Sequence, residues 1–128
     1  MTPFDDPQAE LAWMFLQSMC EDGDLDEGFE LLSDDFSYWS IVTRTSFGKE
    51  TLRRAVERRK KLFEVNIELL RCVNEGTTVV VEGQTDGVTA DGTRYDSPFV
   101  CIFDTQDGLI VSLREYSDTQ SLAKVFPV

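Results

Sequence analysis

Residues 95–126 read YDSPFVCIFDTQDGLIVSLREYSDTQSLAKVF, and their pattern decides how the chain folds. From Tyr95 to Phe103 the residues alternate: Tyr95, Ser97, Phe99, Cys101 and Phe103 share one face, and Asp96, Pro98, Val100, Ile102 and Asp104 the other. Gln106-Asp107-Gly108 is a turn, its glycine free to take a positive φ. The second arm then places Leu109, Val111, Leu113, Glu115 and Ser117 on one face, with Ile110, Ser112, Arg114, Tyr116 and Asp118 opposite. Glu115 ends an otherwise apolar row. A carboxylate there must be solvated, paired (Arg94, Arg71 and Arg114 are the candidates) or held inside a cavity, because burying it alone is too costly.

Working back toward the N-terminus, Ala90-Asp91-Gly92 turns out of a strand over 77–86, and Asn74-Glu75-Gly76 turns into it from a strand that places Val65, Ile67, Leu69 and Val73 on one face. Lys49 to Phe63 is a basic outer helix with a narrow apolar stripe of Leu52, Ala55, Val56, Leu62 and Phe63. Before it come a loop over 43–47 closed by Gly48 and a strand from Phe36 to Val42 with Phe36, Tyr38, Ser40 and Val42 on one face. Pro7 to Cys20 is a helix capped by Asp6 and ended by Gly23, apolar nearly all round at Leu11–Leu16. Asp24 opens a second helix running to Leu32, which Ser33-Asp34-Asp35 breaks. Ser121 to Phe126 is a last helical turn, with Asp118 placed to cap it. Helices followed by hairpin-linked strands predict an α+β domain, residues 1–128, with the helices across one face of an antiparallel sheet.

Composition narrows the function. At 128 residues the chain is one domain, and its 41% hydrophobic content suits a globular protein. No apolar run reaches membrane-spanning length and MTPFDDPQAE lacks the features of a signal peptide, so a cytoplasmic location without membrane contact is expected. Cys20, Cys72 and Cys101 are too far apart for a zinc ribbon and odd in number, hence reduced thiols. With no histidine, acid/base work falls to Asp, Glu, Tyr, Lys or Cys. A net charge of −12 argues against nucleic acid as a partner. The basic segment Lys49–Lys61 is read as a solvated face complementing the acidic N-terminal helices.

The two N-terminal helices, FGKETLRRAV at 47–56, VVVEGQTDGVTADGTRY at 79–95 and FDTQDGLIVSLREYSD at 103–118 with its short helix together resemble the nuclear transport factor 2-like superfamily. Within it, they resemble the SnoaL-like polyketide cyclase and limonene epoxide hydrolase group. The resemblance implies a cone: a curved mixed sheet around a central apolar cavity, closed by the N-terminal helices, with a homodimer through the sheet and neither metal nor organic cofactor. Carried across residue by residue, the pocket carboxylate of the family's final strand falls on Glu115 and the water-holding Tyr on Tyr38, with its Asn partner replaced by Ser40. The central-strand Arg and second Asp of the epoxide hydrolase triad fall on Gly83 and Thr85, so epoxide hydrolysis is not expected. Scytalone dehydratase chemistry needs histidines, and the two ketosteroid isomerase carboxylates have no counterpart. A SnoaL-like aldol closure with Glu115 as acid/base remains. That reading places Glu115 in a cavity lined by Trp13, Val81, Phe99, Cys101 and Leu113. Tyr38 would donate to the developing oxyanion, with Ser40, Thr85 and Ser97 as further polar contacts and a small, mostly apolar molecule as ligand. A non-catalytic module that binds such a ligand, or dimerises through its sheet, stays open beside it.

Overall fold

A computed structural model describes residues 6–125. Its elements are α1 (Pro7–Ser18), α2 (Leu25–Phe29), β1 (Leu32–Ser40), β2 (Ser46–Gly48), α3 (Lys49–Leu62), β3 (Val65–Glu75), β4 (Thr78–Val88), β5 (Arg94–Gln106), β6 (Leu109–Ser117) and α4 (Thr119–Val125). The expected end of α4, Phe126, lies outside the described residues. The six strands form one curved, unclosed sheet in the order β2-β1-β6-β5-β4-β3. Neighbours from β6 to β3 are antiparallel, while β1 runs parallel to β6, which makes the sheet mixed. The α+β cone expected from the sequence is the fold observed.

Local chemistry explains the helix ends. Asp6 Oδ1 accepts from Gln8 N at 2.9 Å and Ala9 N at 3.0 Å, with Pro7 at the first helical position. The chain leaves α1 through Asp22, whose φ is 67°. Gly23 is required for a different reason: a Cβ there would sit 2.4 Å from the Gln17 carbonyl oxygen. Asp24 caps α2, and Arg53 of α3 pairs with Asp26 at 2.5 Å, the basic-on-acidic contact the charge distribution predicts.

Three expectations fail where the strand period is interrupted. The Ser33-Asp34-Asp35 triplet does not break the chain: α2 stops at Phe29, β1 begins at Leu32, and the triplet is an irregularity in the β1–β6 register, with Ser33 Oγ donating to Asp35 Oδ1 at 2.7 Å. In β3 the register shifts between Leu69 and Arg71. This bulge turns Cys72 inward and Val73 outward to solvent, reversing its expected face. A second shift between Asp104 and Thr105 puts Ile110 fully inside and leaves Leu109 exposed, whereas simple alternation places Leu109 and Val111 inward. Part of the expected loop at 43–47 also forms the short edge strand β2, antiparallel to β1.

The core lies between the concave sheet face and the helices. α1 crosses β3, β4 and β6, α3 lies on β1 and β2, and α4 on β5. Phe15 is completely buried, with its ring 5.5 Å from Phe29 and 6.4 Å from Phe36. The row Tyr95, Ser97, Phe99, Cys101 and Phe103 is buried throughout, as the alternation requires.

Candidate functional site

β1 and β6 run side by side in parallel, with Tyr38 opposite Leu113 and Ser40 opposite Glu115. That register brings two residues 77 positions apart into contact: the Tyr38 hydroxyl donates to Glu115 Oε1 at 2.5 Å. Both line a pocket of about 730 Å³ bounded by the concave sheet face, the end of α1, α3 and Leu122 of α4. Its size falls within the range of small-molecule sites.

The three arginines that the sequence offers as partners for Glu115 are engaged elsewhere. Arg94 pairs with Asp86 at 3.7 Å and Arg71 with Glu82 at 3.8 Å. The Arg114 guanidinium lies 4.1 Å from the centroid of the Trp39 ring. Among the described residues, Tyr38 is the hydrogen-bond partner of the Glu115 side chain. Desolvation raises the Glu115 pKa above its ordinary 4.5, against the opposing pull of the Tyr38 hydrogen bond and the positive charge of Arg59. Burial, and then the adjacent carboxylate, push Tyr38 well above the usual tyrosine range, so its hydroxyl keeps its proton and remains a donor. Cys101 faces Glu115 across the β5–β6 ladder, and its thiol is likewise pushed far up by burial, which removes it as a nucleophile at neutral pH.

Of the site residues named from sequence, Tyr38, Ser40, Thr85, Phe99, Cys101, Leu113 and Glu115 line the pocket. Trp13, Val81 and Ser97 are not among its lining residues. Trp13 is a half-buried core contact on α1, and Val81 is sealed in the core. Ser97 is 1% exposed, and its Oγ accepts from Asp118 N at 3.3 Å, fastening the start of α4 to β5. Ser40 Oγ accepts from Val42 N at 3.1 Å and so holds the end of β1.

The structure adds residues the sequence reading did not assign to the pocket. Tyr95 and Ser117 are lining residues already contained in the two alternating rows. The α3 stripe (Leu52, Ala55, Val56, Leu62) and Phe63 form a wall, and Arg58 and Arg59 accompany it. The stripe was visible in the sequence, but no local signal tells which sheet face a helix will cover. Gly83, onto which the resemblance carries the epoxide hydrolase Arg, leaves little room for any side chain. A Cβ on Gly83 would meet Phe99 Cζ at 2.5 Å and the Glu68 carbonyl oxygen at 2.9 Å, so the Phe99 ring occupies the space over that glycine. Among the described residues no three His, Cys, Asp or Glu side chains group closely enough to hold a metal ion.

Solved structures share this fold. A putative SnoaL-like polyketide cyclase from Jannaschia sp. CCS1 is 18% identical with a TM-score of 0.81, covering 98% of this chain and 94% of its own. An LEH-like epoxide hydrolase from M. tuberculosis is 19% identical with a TM-score of 0.78, covering 92% and 87%. An NTF2-like protein from Anabaena variabilis is 25% identical with a TM-score of 0.78, covering 92% and 94%. No curated protein matches the sequence. The SnoaL-like domain model matches residues 14–113, from the middle of α1 to the strand that carries the carboxylate, and with the mixed, curved sheet described above it establishes that the chain belongs to the SnoaL-like domain family, of nuclear transport factor 2-like fold.

Proposed function

We propose that this chain is a cofactor-independent acid/base catalyst, a lyase or isomerase of the aldol-cyclase kind, acting on a small, mostly apolar carbonyl compound. The observation that carries the reading is the Tyr38 hydroxyl 2.5 Å from Glu115 in the wall of one apolar pocket. A desolvated carboxylate with a raised pKa is a stronger base than a solvated one. In the proposed reaction Glu115 takes the proton from a carbon next to a carbonyl, and the C–H electron pair forms the enolate. The enolate carbon then attacks a second carbonyl of the same molecule, forming a C–C bond. The resulting alkoxide recovers its proton from the Glu115 carboxyl group. Once protonated, Glu115 no longer draws the Tyr38 hydrogen, which becomes available to the oxyanion.

The test is α-proton exchange of 2-tetralone in D2O, followed by proton NMR, for the wild type and for Glu115→Gln. The variant is expected to lose the protein-catalysed rate, a contribution of roughly 10²–10⁴-fold for a positioned base. Equal rates in the two proteins overturn the reading.

The alternative is a module of the same fold that binds its ligand without turnover or pairs through its sheet. It is favoured by Gly83 and Thr85 at the epoxide hydrolase positions and by the exposed apolar residues Leu70 and Val73, which a partner subunit could cover. Sedimentation velocity distinguishes the homodimer of this reading from a monomer.

A further inference from the structure

The pocket is cationic within a strongly acidic protein. The chain has 24 Asp and Glu against 12 Lys and Arg, yet the charged residues lining the pocket are Arg58, Arg59 and Glu115. Both arginines come from the end of α3. Arg59 Nη1 donates to the Phe63 carbonyl and to Glu64 Oε1, each at 3.3 Å, and Nη2 donates to the Met19 carbonyl. These bonds use three of the five guanidinium donors. Nε–H and one Nη2–H have no partner among the described residues, so the guanidinium keeps donors for a further acceptor.

The charge of Arg59 is also incompletely matched. Glu64 Oε1, its ion-pair partner, is shared with Lys60 at 3.2 Å. Arg58 has no acidic side chain within ion-pair distance among the described residues. Burial disfavours the charged form of Arg59, so a bound counter-charge would restore stabilisation lost with water. Around these two cations the wall is apolar, with Val56, Leu62, Phe63, Ile67 and Phe99.

We propose that the ligand of this pocket is an amphiphilic anion: an apolar body bearing a carboxylate, which the unused donors of Arg59 bind, with Arg58 adding charge beside it. For the reaction at its other end the inference rests on the acid/base reading of Glu115 and Tyr38; the anion preference itself stands on the two arginines.

Isothermal titration calorimetry with 2-naphthoate and its uncharged near-isostere 2-naphthamide tests it. The wild type is expected to bind the carboxylate about tenfold or more tightly than the amide, the size of one charge-assisted hydrogen-bonded contact. Arg59→Gln should bring the two affinities to within about twofold of each other. Because Arg59 also ties the Met19 and Phe63 carbonyls, Arg59→Lys and Arg58→Gln are measured beside it, and each should lower the ratio of carboxylate to amide affinity. A wild type that does not prefer the carboxylate, or a preference intact in both Arg59→Lys and Arg58→Gln, overturns the proposal. Glu115→Gln separates it from the acid/base reading. This variant should hold 2-naphthoate at least as tightly as wild type while losing α-proton exchange with 2-tetralone. Exchange that survives there sinks the catalytic reading and leaves the anion preference standing.

Discussion

Replacing Tyr38 with Phe removes one hydroxyl and leaves the ring in place, which isolates the 2.5 Å hydrogen bond to Glu115. That bond stabilises the ionised carboxylate and opposes the rise in pKa that desolvation causes. A hydrogen bond to a charged group contributes about 1.5–3 kcal/mol. At about 1.4 kcal/mol per pKa unit, its loss should raise the Glu115 pKa by roughly one to two further units. The stability consequence has a definite sign. A carboxyl group whose folded pKa lies above its unfolded value binds its proton more tightly when folded, so it favours folding at low pH, and that advantage is lost as pH rises through the folded pKa. Tyr38→Phe should therefore lower stability little when Glu115 is protonated, and by about 1.5–3 kcal/mol once it is ionised. The assay is NMR titration of carboxyl-labelled glutamate together with urea unfolding at several pH values. An unmoved Glu115 titration, or a Tyr38→Phe destabilisation that is flat with pH, would refute the claim that this hydrogen bond holds the carboxylate in its ionised form.

Glu115→Gln should be more stable than wild type at alkaline pH, by about 1.4 kcal/mol for each unit by which the folded pKa is raised, and the gain should vanish on acidification; urea midpoints against pH measure it. Gly83→Ala should lose about 1–3 kcal/mol, read as a fall in Tm, because its Cβ would meet the Phe99 ring at 2.5 Å. Phe15→Ala, at a fully buried ring, should cost about 3–5 kcal/mol by chemical denaturation. Among the thiols, Cys72 should react with an aromatic disulfide reagent well before the others at pH 8. Cys101 is buried with its pKa far up, and burial pushes Cys20 up to about 11. Labelling of Cys101 or Cys20 at the rate of Cys72 in the folded protein would contradict those burials.

The sequence by itself determined the elements and most of their faces. Alternation over 95–103 identified the inner row of β5, Asp6-Pro7 marked the start of α1, and the order of helices and hairpins identified an α+β layer, because these signals depend on residues a few positions apart. Glu115 stood out for the same reason, as a carboxylate ending an apolar row. The faces failed where an inserted residue reversed the parity, at Leu69–Arg71 and at Asp104–Thr105, since a bulge changes the count without leaving a compositional mark. Tertiary structure alone decided what lies across a gap in sequence. The parallel pairing of β1 with β6 places the Tyr38 hydroxyl on Glu115 from 77 residues away. The seating of α3 beside the concave sheet makes Arg59 a wall of the same pocket, from a segment that local pattern reads as a solvated basic helix. Local periodicity fixes which way a side chain points from its own backbone, and only long-range pairing fixes what it then meets.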